Sequence, residues 1–214
     1  VGMGNQLRAE DGLMARRFRL GLRGARLHAL ELALQLGLQL LDGAAAMVAA
    51  VLPQPIQPAQ QVAAGLAEVL RAGEVQRMSA GTGVVHSEVN VGQAPCRLLQ
   101  IWIEPATAGI APAYEQKPFA LQQGWTALID PEAAGEAMAI HRPVRLWRAQ
   151  VDAGTQLPWP ASGSCASWIQ IINGGLVAPQ PLCRGDGLGL AAGEAPPSLE
   201  AGAAGVDLLL FELS

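Results

Sequence analysis

The chain has 214 residues, of which 50% are hydrophobic and 15% are charged. This much apolar material can build a core, so disorder along the whole chain is excluded. The formal net charge of −4 argues against a protein held to nucleic acid by phosphate contacts. The apolar stretch 27–41 is interrupted by polar residues and 44–52 is short, so we expect no membrane-spanning segment.

Charged and aromatic residues are unevenly distributed along the chain. Residues 1–67 contain six Arg, four acidic residues and one aromatic residue, whereas 68–214 contain all five Trp. Large rings supply much of the buried area of a core, so we expect the best-specified core after residue 67. The three cysteines, Cys96, Cys165 and Cys183, form no CxxC pair. Their odd number indicates a reducing, cytoplasmic location.

Residues 1–67 give conflicting structural signals. Five arginines within 16–26 predict a solvated surface or tail, the alternative being an anion or nucleic-acid patch. Every second residue of Leu30–Leu40 is Leu, which is the period of a strand, although the residue types there favour helices. Ala44–Ala50 predicts a short helix, and three prolines within 53–58 predict a linker.

From residue 66 onward, short apolar runs alternate with Gly, Pro, Asp and Asn. This pattern predicts an all-β fold, as an antiparallel sandwich or barrel. The runs are Leu98–Ile103, Ala127–Ile129, Val144–Trp147, Trp168–Ile172 and Val206–Phe211.

The segment 77–90 carries the strongest chemical signal. Gly81 and Gly83 permit a turn that leads into a strand. His86 and Glu88 are two residues apart, so we expect both side chains on one face of that strand. An imidazole and a carboxylate are two ligands for an oxygen-activating ion such as Fe(II). The same pattern also fits an ordinary hydrogen-bonded pair.

Three motifs in this part of the chain resemble the signature of the pirin family. They are QRMSAGTG at 76–83 followed by HSE at 86–88 and Asn90, LQIWIEP at 99–105, and PAYEQK at 112–117. A looser similarity continues through Trp168–Gln170, Gly185–Gly187 and Leu208–Leu213. The resemblance covers roughly residues 68–214.

The resemblance implies a bicupin, in which two consecutive antiparallel β-barrels pack against each other. It also implies one mononuclear metal, usually iron, held in the first barrel by three His and one Glu. Family members are quercetin dioxygenases, which open a flavonol ring with O₂, or regulators. His86 and Glu88 match the third His and the Glu of that ligand set, and Glu88 would also accept the flavonol hydroxyl proton. In the family the second barrel usually holds no metal, which agrees with His141 as the single histidine in that part of this chain.

The chain departs from the family at the other two ligands, which come from a His-x-His pair in an earlier strand. This chain has three histidines, His28, His86 and His141, and no His-x-His. We therefore expect an incomplete or altered first barrel in which Fe(II), or another divalent transition metal, is weakly bound or absent. His28 is a candidate third ligand, or a half-exposed side chain beside the Leu run.

We expect three parts: an atypical segment at 1–67, the rest of the first cupin with the metal motif at 68–135, and the second cupin at 136–214. The atypical segment fits disordered, rearranged or out-of-frame coding sequence. The predicted function is a metal-binding dioxygenase of the quercetinase type acting on a flavonol-like molecule. One alternative is a non-catalytic cupin that regulates or binds proteins, and another is a chain that folds only from about residue 68.

Several further residues have weaker signals. The tryptophans that we expect in the core are Trp102, Trp147 and Trp168. Trp159 lies between prolines and is expected on an exposed loop, and the cysteines are expected to pack in the interior. Tyr114–Gln116 would reach a substrate or order the barrel mouth, or Tyr114 would be a structural residue at the seam between the barrels. Gly185–Gly187 predicts a hairpin turn.

Overall fold

The computed structural model describes residues 46–51, 59–63, 66–83, 86–90, 97–160 and 164–213, with side chains from residue 68 onward except in 86–90. The predictions for the Arg run, for Leu30–Leu40, for His28, for the prolines within 53–58 and for Cys96 therefore lie outside the described residues. No helix within the described ranges is long and apolar enough to cross a membrane.

Within these ranges the chain is built of strands and contains no helix, which confirms the all-β prediction. The strands are β1 Ala46–Val51, β2 Ala59–Ala63, β3 Leu66–Leu70, β4 Glu74–Ser79, β5 His86–Asn90, β6 Leu98–Ile103, β7 Ala113–Pro118, β8 Trp125–Asp130, β9 Met138–Ala139, β10 Val144–Val151, β11 Gln156–Leu157, β12 Ala166–Leu176, β13 Leu182–Cys183, β14 Gly187–Leu190 and β15 Leu199–Leu213. Each of the five predicted apolar runs lies within a strand.

Strands β1–β7 form the N-terminal unit, which contains two sheets. One sheet has the order β6-β1-β4-β7 and the other has the order β3-β2-β5. Strand β1 lies between β4 and β6 and pairs antiparallel with both. The helix predicted for Ala44–Ala50 is therefore wrong over β1, because pairing on both sides outweighs the weak helical preference of Ala and Met.

Strands β1 and β2 come from the segment that the sequence sets apart as 1–67. Removal of residues before 68 would take away the central partner of β4 and β6, and also the central strand of the β3-β2-β5 sheet. The alternative of a chain that folds only from about residue 68 stays a prediction, and such a chain would have to do without these two strands.

Strands β8–β15 form the C-terminal unit. Its main sheet has the order β13-β12-β15-β10-β8-β9, with β11 on β15 and β14 on β12. The pairing is antiparallel except between β8 and β9. Its interior is an apolar cluster that includes Ile169, Leu208 and Leu210, each fully buried.

The two units share a second hydrophobic core. Val75 of β4 and Ile103 of β6 are buried in the same cluster as Ile129, Leu146 and Leu209 of the C-terminal unit. Because alternate residues of a strand face opposite sides, odd-numbered positions of β4 and β6 face the C-terminal unit. We call this the seam face of the four-stranded sheet and the opposite side its inner face.

A buried ion pair extends the seam core within the C-terminal unit. Arg148 Nε and Nη2 donate hydrogen bonds of 2.9 and 2.8 Å to the two carboxylate oxygens of Asp207. The two side chains are 2% and 8% exposed. Arg148 is two residues from Leu146 on β10, and Asp207 is two residues from Leu209 on β15. Each therefore lies on the same face of its strand as a residue of the seam core. Two parallel hydrogen bonds in so buried a place fix both side chains.

Three predictions about single residues are wrong. Trp102 is 45% exposed instead of buried, and Trp159 is half-buried against the C-terminal core instead of exposed on a loop. Trp147 and Trp168 pack against the two cores as predicted. Cys183 is exposed, so it does not pack in the interior.

Gly185–Gly187 is a turn but does not form the predicted hairpin. The strands on either side, β13 and β14, both pair with β12 and continue each other along its edge. Asp186 closes the turn, since its carboxylate accepts a 2.8 Å hydrogen bond from the Cys183 amide. Gly187 lies so close to Trp168 that a Cβ atom would overlap the indole ring. The segment is thus an interruption within one edge of the sheet.

Candidate functional site

The His-x-Glu motif occupies strand β5, as the sequence predicts. His86 is paired with Ala63 and Glu88 with Gln61 of β2. The two residues are therefore two positions apart on β5, which is an edge strand of the three-stranded sheet. Their assignment as metal ligands stays a prediction.

The turn before β5 is fixed by two glycines with positive φ, Gly81 at +55° and Gly83 at +130°. The amide of Gly83 donates to the carbonyl of Ala80 at 2.8 Å, and the amide of Thr82 donates to the carbonyl of Ile110 at 3.1 Å. A Cβ atom on Gly81 would overlap the Ile110 carbonyl. Only glycine therefore fits this position, and the predicted turn is confirmed.

The inner face of β4 and β7 is polar. Gln76 is paired with Gln116, and Met78 is paired with Tyr114, so all four residues share this face. The Tyr114 hydroxyl shares its one proton between Gln116 Oε1 at 2.6 Å and Gln76 Oε1 at 3.3 Å. Gln76 is only 1% exposed. The Tyr114 hydroxyl thus gives the buried amide oxygen of Gln76 a hydrogen-bond partner.

The polar inner face also contacts the sheet that contains β5. Gln116 Nε2 donates 3.0 Å hydrogen bonds to the carbonyl of Val69 in β3 and to the carboxylate of Glu74. Tyr114 therefore belongs to the interior between the two sheets of the N-terminal unit. The alternative that placed it at the seam between the units is wrong, because the seam lies on the other side of β7.

The seam face of the same strands carries a different polar group. Arg77 is 8% exposed and donates to Ser79 Oγ at 3.0 Å and to Glu115 at 3.3 Å. Strands β4 and β7 thus present a network of two amides, a phenol and the Glu74 carboxylate to the inner face and an ion pair to the seam face.

The other histidine in the described ranges does not join this site. His141 is exposed and lies just before β10 of the C-terminal unit, where its carbonyl accepts a hydrogen bond from the Ala106 amide at 3.2 Å. Among the side chains that the structure describes, no three His, Cys, Asp or Glu come together as a possible metal-binding group.

The interior of the C-terminal unit ends in a charged row, which consists of Asp130, Arg145 and Glu212. Arg145 Nε donates to Asp130 at 2.9 Å, and Arg145 Nη1 donates to Glu212 at 3.2 Å. Burial alone raises the pKa of Asp130, but hydrogen bonds from the Glu132 amide and from Arg145 outweigh it and hold that pKa below its ordinary value. One guanidinium satisfies two buried carboxylates, so this row closes the apolar interior as a structural element.

Two features of the candidate site were not predicted from the sequence. The pairing of Gln76 with Gln116 and Tyr114 was not predicted, although all three residues lie in the motifs at 76–83 and 112–117. The motifs name the residues but not the register that brings β4 beside β7. Trp102 was expected in the core because it lies inside an apolar run, and its exposure depends on β6 being an edge strand.

Comparison with protein-family models gives two matches. Residues 60–103 match the family described as pirin, and residues 127–213 match the quercetinase C-terminal cupin domain. A quercetin 2,3-dioxygenase of Escherichia coli is 37% identical over 111 residues, which is 51% of this chain and 48% of that protein. A pirin-like protein of Caulobacter vibrioides is 52% identical over 48 residues, 22% of this chain and 21% of that protein. The chain spans about half the length of the first curated relatives it matches.

Solved structures agree with these matches. The crystal structure of YhhW from E. coli has a TM-score of 0.73 and 30% identity, with coverage of 81% of this chain and 73% of that chain. The same bacterial pirin in complex with nickel(II) has a TM-score of 0.72 and 31% identity, with coverage of 80% and 73%. Two β units joined along a seam, with these neighbours, define a bicupin. The chain belongs to the pirin family.

Proposed function

We propose that the N-terminal unit holds a divalent transition metal through His86 and Glu88 and acts on a flavonol as a quercetin dioxygenase. The observation that carries this proposal is the polar inner face of β4 and β7, which contacts the sheet of β5 through Gln116 and Val69. A site for a hydroxylated substrate needs a few fixed polar groups. Tyr114 and Gln116, which are half-buried, are such groups, and the fully buried Gln76 supports Tyr114.

The donor types at β5 suit a divalent transition metal, because imidazole and carboxylate are common ligands of such ions. When bound, the ion would supply Lewis-acid polarisation of the substrate oxygens. Glu88 is proposed to accept the proton of the flavonol hydroxyl. Tyr114 would orient another hydroxyl group, since its own hydroxyl is held in place by Gln116 and Gln76.

Metal binding tests this proposal most directly. Equilibrium dialysis against Fe(II) without oxygen should give saturation near one ion per chain. His86→Ala should lower the affinity by at least about tenfold, because removal of a ligand costs no less than removal of a supporting residue. His141→Ala is the matched control, since this exposed histidine lies in the C-terminal unit, and it should bind like the original chain. Equal iron binding by the His86→Ala protein would contradict the assignment.

A second candidate function is a non-catalytic cupin that acts through binding. The absence of a His-x-His pair from the sequence favours it, since affinity for metal falls with ligand number. A chain that binds no Fe(II) in the dialysis experiment, and leaves the flavonol absorbance unchanged under oxygen, would support this candidate over the dioxygenase.

A further inference from the structure

Three tryptophans lie at the border of the apolar interior of the C-terminal unit. Trp125, Trp147 and Trp159 are each half-buried. All three pack against the cluster that contains the fully buried Leu208 and Leu210. We call these three residues the tryptophan border. Aromatic rings beside an apolar surface, with a few polar groups among them, are the usual lining of a small-molecule site.

Strand register places two of these rings on one face of the sheet. Trp125 of β8 is paired with Ala149 of β10, and Ala127 of β8 is paired with Trp147 of β10. Residues directly opposite each other share one face, so Trp125 and Trp147 are diagonal neighbours. Each ring lies across from a methyl group, which leaves the two indoles as the largest surfaces on that part of the face.

The third ring is held near the first by the segment that follows β11. The Trp125 indole donates a 2.6 Å hydrogen bond to the carbonyl of Pro158, so it fixes the residue directly before Trp159. On the other side of Pro158, Leu157 is paired with Leu199 of β15. The sheet therefore positions Trp159 through the two residues that precede it.

The indole N–H of Trp159 is the polar group of this border that lacks a partner. Its Nε1 atom is buried and has no hydrogen-bond acceptor in the part of the chain that the structure describes, whereas Trp125 Nε1 has the Pro158 carbonyl. A buried indole N–H normally finds an acceptor, because leaving it unpaired costs free energy. An acceptor atom on a bound molecule would remove this cost.

The charges next to the tryptophan border restrict the kind of molecule. Arg145 lies two residues before Trp147, on the same face of β10. Its guanidinium is already paired with Asp130 and with Glu212. Because these two carboxylates neutralise Arg145, it does not attract an acidic molecule, and an uncharged ligand is favoured.

We propose that the tryptophan border binds an uncharged, planar aromatic molecule that carries a hydrogen-bond acceptor on its ring. The indoles of Trp125 and Trp147 provide the surface for the ring, and the Trp159 N–H donates to the acceptor. This site belongs to the C-terminal unit, so it is independent of the metal and of the flavonol proposed for the N-terminal unit.

Quinoline and naphthalene are a matched pair of probes for this site. They have the same shape and differ by one ring nitrogen that accepts a hydrogen bond. Calorimetry with the full chain measures both dissociation constants, and both probes should bind. Trp147→Leu should weaken both by about tenfold, which is the size expected for loss of an aromatic contact. Trp159→Phe keeps a ring but removes the N–H, so it should raise the quinoline constant about tenfold relative to the naphthalene constant.

Trp102→Phe is the matched control, since it makes the same change at an exposed Trp of the N-terminal unit and should leave both constants unchanged. Thermal unfolding checks that each variant is folded, and Trp159→Phe decides the question if Trp147→Leu is not. Failure of both probes to bind, or weaker binding in Trp102→Phe, would overturn the inference. An unchanged ratio of the two constants in Trp159→Phe would also overturn it, because the N–H would then donate to water and not to the ligand.

Discussion

The two units of this protein use similar β architecture to build opposite interiors. Between the sheets of the N-terminal unit, Gln76, Gln116 and Tyr114 form a hydrogen-bonded network. Inside the C-terminal unit, the comparable positions of β10, β12 and β15 are filled by apolar residues such as Leu208 and Leu210, which are fully buried. Among the described side chains, the first interior contains a polar network and the second is an apolar core.

This difference bears on which part of the chain supplies its stability. A buried amide contributes little net stability even when it is satisfied, whereas each buried Leu adds a large hydrophobic contribution. Among the side chains that the structure describes, most of the buried apolar residues belong to the C-terminal unit and the seam. The N-terminal unit can keep a polar network because it rests on that seam through residues such as Val75 and Ile103.

The largest effect is expected at the seam-side ion pair. Asp207→Ala should lower the free energy of unfolding by about 3–5 kcal/mol, because it leaves the Arg148 guanidinium buried without a partner. Chemical denaturation would measure this loss. The double change Arg148→Met with Asp207→Leu should recover much of it, since two apolar side chains remove the unpaired charge. A loss below about 1 kcal/mol in Asp207→Ala would show that the C-terminal unit can bury the Arg148 guanidinium without its charged partner.

Exchanging the polarity of the two interiors tests the comparison itself. Leu210→Gln should cost about 3 kcal/mol or more, because it loses hydrophobic burial and places an amide where no hydrogen-bonding partner is at hand.

The reverse exchange, Gln76→Leu, should cost only about 1 kcal/mol, since Tyr114 still donates to Gln116. Thermal or denaturant unfolding of both variants measures the contrast. Similar losses in the two units would contradict the view that their interiors differ.

The smallest effect concerns the charged row at the end of the C-terminal interior. The pKa of Asp130 is lowered, so its carboxylate stabilises the folded state above the ordinary pKa of 3.8, and this contribution is lost as the pH falls through the lower folded-state pKa. Asp130→Asn should cost about 1 kcal/mol near neutral pH. The difference between the variant and the original chain should shrink below about pH 4. Denaturation curves at several pH values would measure this change. A stability difference that does not vary with pH would show that the charge of Asp130 does not contribute.

Local sequence pattern was sufficient for much of the fold. The five apolar runs became parts of strands because short, often β-branched segments bounded by Gly and Pro have few other ways to bury themselves. The turn at Gly81 and Gly83 was also predictable, since its positive φ angles suit glycine. Strand β1 was not predictable, because Ala46–Val51 has helical residue types and becomes a strand only through β4 and β6.

For the candidate site, too, some features could be predicted from the sequence and others could not. The sequence by itself determined the all-β class, the family resemblance and the position of His86 and Glu88 on one strand, because residue spacing is sufficient for these. Only the tertiary structure decided that Tyr114 meets Gln76, that Trp102 shares their face, and that the C-terminal interior is apolar. Those facts depend on strand order and register between residues far apart in the chain, which are set by packing across the whole molecule and not by local pattern.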